Sequence, residues 1–163
     1  MLMTRYNRFV SDVCLRFGPL ALAMALAIGC RSEPSKQSSA GGVQSVRPRA
    51  ATFVDQKVPT EMVTDRAYTV FVRMRNSGTL PWTSGEDFRL GSINPQDNET
   101  WGLRRVDVTS TVAPGEEATF NFTVKSPRTE GEYNFQWRMV QDGVAWFGDE
   151  TWNIPVTVMR ANP

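Results

Sequence analysis

The most constraining feature of this sequence is an aromatic stretch, residues 131–152, which holds three of the five tryptophans. Large apolar and polar residues alternate over residues 133–139, and this period of two is typical of a strand with one buried face. Asp142 and Gly143 then predict a type I′ turn, which needs positive φ at both residues. The stretch is therefore predicted to be a hairpin that other strands must cover. On its return arm the expected inward residues are Trp152, Ile154, Val156 and Val158.

Short strand-like runs separated by turn residues fill the chain from Ala51 to the aromatic stretch. No segment with the period of an amphipathic helix occurs there. Seven or eight short strands in about 110 residues are typical of an immunoglobulin-like β-sandwich. We therefore predict an all-β fold, an immunoglobulin-like β-sandwich of seven to eight antiparallel strands. The candidate strands upstream of the hairpin are residues 52–58, 67–75, 80–83, 88–92, 101–106 and 119–125.

The charge of the predicted domain argues against nucleic-acid binding. Residues 51–163 carry eleven Lys and Arg against fifteen Asp and Glu, a net charge near −4. A surface that binds the phosphates of nucleic acid needs a clustered basic patch, and the sequence shows no basic run. We therefore expect no nucleic-acid partner.

The residue types needed for common catalytic and metal sites are scarce. There is no histidine, which removes the commonest metal ligand and the usual general base near neutral pH. Three adjacent acidic pairs fall in predicted turns, where neighbouring side chains diverge, and a sandwich filled with aromatic residues leaves little room for a substrate cleft. We therefore expect no catalytic residue, no metal and no cofactor. The acidic pairs are Glu86 and Asp87, Glu116 and Glu117, and Asp149 and Glu150.

The first 29 residues read as an export signal. Arg5, Arg8 and Arg16 precede a short apolar run that is too short to span a bilayer. The run ends in Leu-Ala-Ile-Gly before Cys30, which resembles a bacterial lipobox, in which the cysteine receives the lipid. The alternative is an ordinary cleaved signal. The lipobox reading places the protein in the bacterial cell envelope, anchored to a membrane through Cys30 and facing the periplasm or the cell exterior.

The sequence divides into three parts. Residues 1–29 form the predicted lipoprotein signal peptide, and residues 30–50 carry Cys30 and a tether rich in Ser, Gly, Pro, Gln and Arg. Residues 51–163 form the predicted domain. The tether would hold the domain away from the lipid surface.

Six phrases occur in order along the domain: RNSGTLPW at 75–82, RLGSINPQD at 89–97, WGLRRV at 101–106, VAPG at 112–115, GEYNFQWRM at 131–139 and WFG at 146–148. With these phrases the chain resembles the four-tryptophan domain, the immunoglobulin-like central domain of selective-autophagy cargo receptors, in a bacterial lipoprotein version. The resemblance implies a non-enzymatic β-sandwich that serves as a binding platform for protein or glycan. It also implies that the name-giving residues are Trp82, Trp101, Trp137 and Trp146.

The hairpin tip is the predicted recognition site. Trp137 lies in mid-strand among inward residues and is expected in the core, whereas Trp82 and Trp101 lie at loop junctions where an indole edge can reach solvent. Trp146, Phe147 and Asp142 are the candidate binding residues, because a tight turn would hold both rings on a rigid support. The alternative is that both rings turn inward and that binding occurs on an outer sheet face, along the row of Arg73 and Arg75.

We predict a lipid-anchored envelope protein whose domain is a non-catalytic module for protein binding or scaffolding. Two alternatives remain open: a carbohydrate-binding module that uses an exposed tryptophan, and a structural subunit of an envelope complex. An exposed tryptophan face would favour the first alternative, and an apolar patch or unpaired edge strand would favour the second.

Overall fold

The computed structural model describes residues 47–161, which form an all-β domain. The predicted signal peptide (1–29), Cys30 and most of the predicted tether (30–50) lie outside the described residues. Within residues 47–161, no helix is long and apolar enough to cross a membrane. The strands are β1 (Ala51–Lys57), β2 (Glu61–Val63), β3 (Ala67–Asn76), β4 (Phe88–Ser92), β5 (Arg105–Asp107), β6 (Glu117–Lys125), β7 (Gly131–Phe135), β8 (Trp137–Gln141), β9 (Ala145–Glu150) and β10 (Ile154–Met159).

The strands form three hydrogen-bonded sheets, ordered β1-β3-β6, β2-β10-β7 and β5-β4-β8-β9. Every strand pairing is antiparallel except the parallel pairing of β2 with β10. Strand β6 shows why these sequences form sheets, since its even-numbered residues from Ala118 to Val124 are buried and its odd-numbered residues are exposed. The predicted immunoglobulin-like β-sandwich is confirmed as the fold class.

One core joins all three sheets. The ring of Phe122, on β6, stacks on Phe135, on β7, with centroids 6.5 Å apart. The same ring meets Trp137, on β8, edge to face at 5.0 Å. Edge-to-face and offset aromatic pairs of this kind stabilise a core beyond the area they bury. The first sheet therefore packs on the other two through a shared aromatic cluster.

The predicted aromatic hairpin is divided between two sheets. Only Gln136 separates β7 from β8, and both Phe135 and Trp137 are fully buried, so the inward alternation continues across the division. At the division the Trp137 N–H donates to Thr151 Oγ1 at 3.0 Å, and the Thr151 N–H donates to the Trp137 carbonyl at 2.8 Å. The prediction of one continuous hairpin arm is therefore wrong, although the inward residues predicted for the first arm are correct.

Trp152 is not on the inward face. In the return arm the buried positions are Phe147 and Thr151 before the division, and Val156 and Val158 after it. The inward positions thus change from odd to even numbers within the three-residue connection between β9 and β10. Trp152 lies in that connection with 71% of its surface exposed. The prediction that Trp152 continues the inward alternation is wrong.

The hairpin turn also differs from the prediction. Only Gly143 has a positive φ, at 75°, and the Val144 N–H donates to the Gln141 carbonyl at 3.0 Å. Asp142 does not take the positive φ of a type I′ turn, and its N–H donates to the Asp87 carbonyl at 3.0 Å. The neighbouring loop before β4 therefore takes part in shaping this turn.

The described residues contain ten strands rather than seven or eight. Both arms of the hairpin divide, which adds two strands, and the sequence does not predict the short β2. The strand predicted over 80–83 is reduced to an isolated bridge between Trp82 and Val112. The strand predicted over 101–106 is shortened to β5, because Gly102 adopts a φ of 79° and its N–H donates to the Glu99 carbonyl. Residues 101–104 thus belong largely to a turn.

Candidate functional site

Three of the four predicted family tryptophans belong to the interior. Trp82, Trp101 and Trp137 have 0%, 1% and 0% of their surface exposed. The Trp101 indole N–H donates to the Asn134 carbonyl at 2.9 Å, whereas the indole nitrogens of Trp82 and Trp137 have no hydrogen-bond partner in the described residues. Trp137 is in the core as predicted. The expectation that Trp82 and Trp101 show an edge to solvent is wrong, because the loops that carry them close over the core.

Trp146 lies on the outer face of the β5-β4-β8-β9 sheet, where the strands turn their side chains away from the core. Its ring rests over Gly91, since a Cβ at that position would come within 2.5 Å of the Trp146 Cη2 atom. The guanidinium carbon of Arg105 lies 4.8 Å from the ring centroid, which is a cation–π contact. Trp146 is partly buried in this position. The Trp146 ring is therefore packed between Gly91 and Arg105 and is not fully exposed to solvent.

Asp142 connects two arginines on the same outer face. Its Oδ1 accepts from Arg105 Nε at 2.9 Å, and its Oδ2 accepts from Arg89 Nη1 at 2.7 Å. Arg89 also donates to Asp107 at 2.6 Å, and Arg105 to Asp97. These pairs fix the positions of both guanidinium groups, because Arg105 contacts two carboxylates and Arg89 contacts a third, that of Asp87 at 3.1 Å.

The network changes the acidity of its members. Burial alone would raise the pKa of Asp142, but the hydrogen bonds from Arg89 and Arg105 outweigh it and hold that pKa below its usual value. The hydrogen bonds to Asp107 and Asp142 raise the pKa of Arg89. Both groups therefore stay charged at neutral pH, and the network is a structural feature of this face.

Phe147 faces the core instead of solvent. It has 6% of its surface exposed and meets Phe88 edge to face at 5.8 Å and Trp82 at 6.0 Å. Its predicted place in a recognition surface is therefore wrong, since a strand that turns Trp146 outward turns the next residue inward. Of the three candidate binding residues, Trp146 is partly accessible and Asp142 is held by two arginines.

The structure exposes a tryptophan that the sequence reasoning placed inside. Trp152 meets Phe53 of β1 edge to face at 5.4 Å, and its carbonyl accepts from the Gln56 side chain at 2.7 Å. We call Trp152, Phe53 and Gln56 the Trp152 patch. The signal that could have revealed it is the interruption of the return arm by Gly148, which adopts a φ of 72° where the pairing of β8 with β9 shifts register.

Members of the acidic pairs contact arginine side chains and backbone groups. Glu117 contacts Arg75 at 2.6 Å, and Asp149 accepts the Phe53 N–H at 3.1 Å. No group of three or more His, Cys, Asp or Glu side chains is placed to hold a metal ion within residues 47–161. These carboxylates serve as partners for arginines and backbone in the sandwich.

The geometry defines an immunoglobulin-like β-sandwich with a filled core and a polar outer face. Comparison with known families gives the family: residues 57–158 match the model described as the Ig-like domain from next to BRCA1 gene, and the chain belongs to that family. Among solved structures it is similar to the CARDB domain of a protein from Pyrococcus furiosus, with 15% identity, a TM-score of 0.46, and coverage of 68% of this chain and 94% of that chain. No curated protein matches the sequence. An Ig-like domain of this kind fits a non-catalytic binding or scaffolding module.

Proposed function

We propose that the protein is a lipid-anchored envelope protein whose Ig-like domain binds a protein partner through the Trp152 patch. The observation that carries the proposal is the 71% exposure of Trp152 in a domain that buries Trp82, Trp101 and Trp137. Tryptophan dominates the energetics of protein interfaces, because its large ring removes much apolar area from water when a partner covers it.

The Trp152 patch is held on a rigid support. The residue before it, Thr151, is 1% exposed and bonds to both backbone groups of Trp137. Gln56 fixes the Trp152 carbonyl from the adjacent β1 strand. A ring whose backbone is already fixed loses less entropy on binding, which favours recognition at this position over a mobile loop.

A pull-down from envelope extracts tests the proposal. Trp152→Ala in the full chain should weaken binding of the partner by more than about 1 kcal/mol, which is about fivefold in affinity. The circular dichroism spectrum of the folded chain should be unchanged. The matched control is Trp146→Ala, which removes the same side chain from the outer face and should keep the partner. If Trp146→Ala loses the partner and Trp152→Ala keeps it, the hairpin tip is the recognition site and the Trp152 patch is not.

Carbohydrate binding is the second candidate function, and a specific observation favours it. The exposed face of Trp152 is the feature that this alternative requires. Amide side chains also belong to this region: Asn153 Nδ2 donates to Asn134 Oδ1 at 2.8 Å, and Gln56 Nε2 donates to the Trp152 carbonyl. Aromatic rings that stack on the apolar face of a sugar, with amides for its hydroxyls, form a suitable site. Affinity electrophoresis in gels containing bacterial polysaccharide should then retard the wild-type chain, and Trp152→Ala should remove that retardation.

The proposed anchor rests on the lipobox-like residues before Cys30. In a bacterial host the full chain should incorporate a clickable fatty-acid analogue and partition into detergent, and Cys30→Ala should abolish both. Cys14→Ala is the matched control and should label normally, because Cys14 precedes the apolar run. Equal labelling of the Cys30→Ala chain would refute the anchor without affecting the Trp152 proposal.

We also assign the domain to the four-tryptophan type, with Trp82, Trp101, Trp137 and Trp146 as its name-giving residues. Its support is the order of the six sequence phrases and the family match over residues 57–158. A protein or glycan partner on the bacterial envelope, rather than autophagic cargo, is the recognition that this assignment favours.

A further inference from the structure

We propose that a recess beside strand β1 binds a phosphate group of a larger ligand. The recess has a volume of about 570 Å3 and is lined by Arg47, Arg49, Arg138, Ser77, Thr79 and Asp149. We call it the arginine recess. It is separate from the Trp152 patch, and the proposal holds whether or not that patch binds a partner.

The backbone that carries two of the arginines is fixed to the domain. The Pro48 carbonyl accepts the N–H groups of Thr79 and Leu80, both at 3.1 Å, and the Ala50 carbonyl accepts the Ser77 N–H at 3.2 Å. Arg47 and Arg49 flank Pro48, so both are positioned by these bonds.

Two glycines allow this close approach. A Cβ on Gly78 would lie 2.4 Å from the Pro48 carbonyl oxygen, and a Cβ on Gly148 would lie 2.5 Å from the Ala51 Cβ. No larger residue fits at either position without moving the backbone of residues 48–51. The floor of the arginine recess is thus built by contacts between β1, the loop after β3, and β9.

The guanidinium groups in the recess are less neutralised than those of Arg73, Arg75, Arg89 and Arg105. No carboxylate of the described residues lies within 4.0 Å of Arg47 or Arg49. Arg49 Nε donates to the Gln141 side chain, and Arg138 Nε donates to the Gly148 carbonyl at 3.1 Å. Arg138 has a single carboxylate nearby, at 3.6 Å from its Nη1.

Four arginines outside the recess show the contrast. Arg73, Arg75, Arg89 and Arg105 each contact a carboxylate at 2.9 Å or less. Three arginines and one acidic residue, Asp149, line the recess, and the Asp149 Oδ2 already accepts the Phe53 N–H. The recess therefore holds an excess of positive charge with hydrogen-bond donors that are not used within the protein.

Hydroxyl groups add neutral donors beside the arginines. Thr52 Oγ1 donates to Ser77 Oγ at 3.1 Å, which leaves the Ser77 proton free to donate to a ligand. Guanidinium forks together with hydroxyl donors match the several acceptor oxygens of a phosphate group better than the two of a carboxylate. Since the recess is much larger than a phosphate ion, the phosphate belongs to an ester such as a phospholipid headgroup or a soluble phosphate ester.

This site lies partly outside the residues that the family shares. The family match begins at residue 57, whereas Arg47, Arg49 and Thr52 precede it. Sequence reasoning missed the site because its arginines are not a run: positions 47 and 49 meet position 138 only through the fold. The net negative charge of the domain does not conflict with a local basic recess.

The test is a titration of the full chain in an uncharged detergent at constant ionic strength, followed by NMR or calorimetry. Inorganic phosphate and a short-chain phosphatidylglycerol are the two probes. Arg49→Gln should weaken the binding of the preferred probe by about tenfold, because it removes a charged fork from the recess. Arg47→Gln should weaken it as well, since the Arg47 side chain makes no hydrogen bond within residues 47–161, and Asp149→Asn should tighten it.

Arg66→Gln is the charge-matched control. Arg66 is exposed at the opposite end of β3 from Ser77, so its loss should leave the affinity unchanged. Tighter binding of phosphatidylglycerol than of inorganic phosphate identifies a lipid headgroup as the source, and the reverse identifies a soluble phosphate. Equal weakening by Arg66→Gln and Arg49→Gln, or no saturable binding of either probe, would overturn the proposal.

Discussion

On the inner face of the β5-β4-β8-β9 sheet, Trp137 is packed against Phe122 and Phe135 with none of its surface exposed, whereas on the outer face Trp146 lies over Gly91 beneath Arg105. The inner ring is held by apolar contacts and makes no hydrogen bond through its indole nitrogen. The outer ring is held by a cation and by the ion pairs that fix that cation. One sheet thus uses the same residue type for burial on one side and as part of a charged network on the other.

The difference indicates how stability is divided between the two faces. Apolar burial contributes to the free energy of unfolding in proportion to the area removed from water. Trp137 should therefore contribute more to stability than Trp146. Ion pairs near the surface are worth much less, because water and salt screen them. Trp152 belongs to neither face and should matter least for folding, which leaves it free for recognition.

The largest effect is expected from the inner face. Trp137→Ala should lower the free energy of unfolding by about 3–5 kcal/mol, the usual range for deleting a large aromatic side chain from a core. Urea unfolding measures the loss. Trp137→Phe is the control and should cost much less, because it keeps a ring and removes an N–H that has no partner. Unchanged stability of Trp137→Ala would contradict the assignment of Trp137 to the core.

A smaller effect is expected where the outer ring rests. Gly91→Ala places a methyl group within 2.5 Å of Trp146, so the ring must move away, at a cost of about 1–3 kcal/mol typical of overpacking. Urea unfolding should show this loss, and NMR should show the Arg105 side-chain signals moving as they leave the ring current.

Gly85→Ala is the control for this change. No heavy atom lies within 4 Å of the position that its Cβ would take, so stability should hardly change. If Gly91→Ala proves as stable as Gly85→Ala, Trp146 does not rest on Gly91.

The charged network predicts a pH-dependent effect. Asp142→Asn should lower stability at pH 7 by about 1–2 kcal/mol, because charge-assisted hydrogen bonds from Arg89 and Arg105 are weakened. The pKa of Asp142 is lower in the folded state than its usual value of 3.8, so its contribution is present above that value and is lost as the pH falls through the folded pKa. The difference between wild type and variant should therefore shrink below pH 3.8.

Unfolding curves at several pH values measure that difference. Glu132→Gln serves as the control, since no Lys or Arg of the described residues lies within 4.0 Å of its carboxylate. A gap between wild type and Asp142→Asn that stays constant down to low pH would contradict the assigned hydrogen bonds.

The smallest effect is expected at the exposed tryptophan. Trp152→Ala should change the free energy of unfolding by no more than about 0.5 kcal/mol, as for most surface substitutions. Thermal or urea unfolding checks this value. A loss close to that of Trp137→Ala would place Trp152 in the fold rather than in a recognition surface.

Much of the fold could be predicted from the sequence because its strongest signals are local. Alternation at Phe120, Phe122 and Val124 predicts a strand and its inward face, and both are observed. The same local signal fails at Gln136, because alternation continues unchanged while the hydrogen-bond partners pass to another sheet. Pairing partners are set by the whole fold, so period alone cannot reveal the change.

The candidate site was harder to predict than the fold for a related reason. The sequence indicates that Trp146 is not a core residue, but it does not reveal the contact with Arg105, which lies 41 positions earlier in the chain. The sequence predicts that Trp152 is inward because even-numbered residues are inward in β10. Trp152 instead continues the alternation of β9, in which odd-numbered residues are inward. Phe147 was assigned to the surface through its neighbour Trp146, although adjacent strand residues face opposite sides.

Acrylamide quenching of tryptophan fluorescence tests most directly the claim that Trp152 is the solvent-exposed tryptophan. The wild-type chain should show a readily quenched component, and Trp152→Phe should remove it and shift the remaining emission to shorter wavelength. Trp146→Phe should leave that component in place. If the component persists in Trp152→Phe and disappears in Trp146→Phe, the hairpin tip is the exposed tryptophan site and the division between the two faces is wrong.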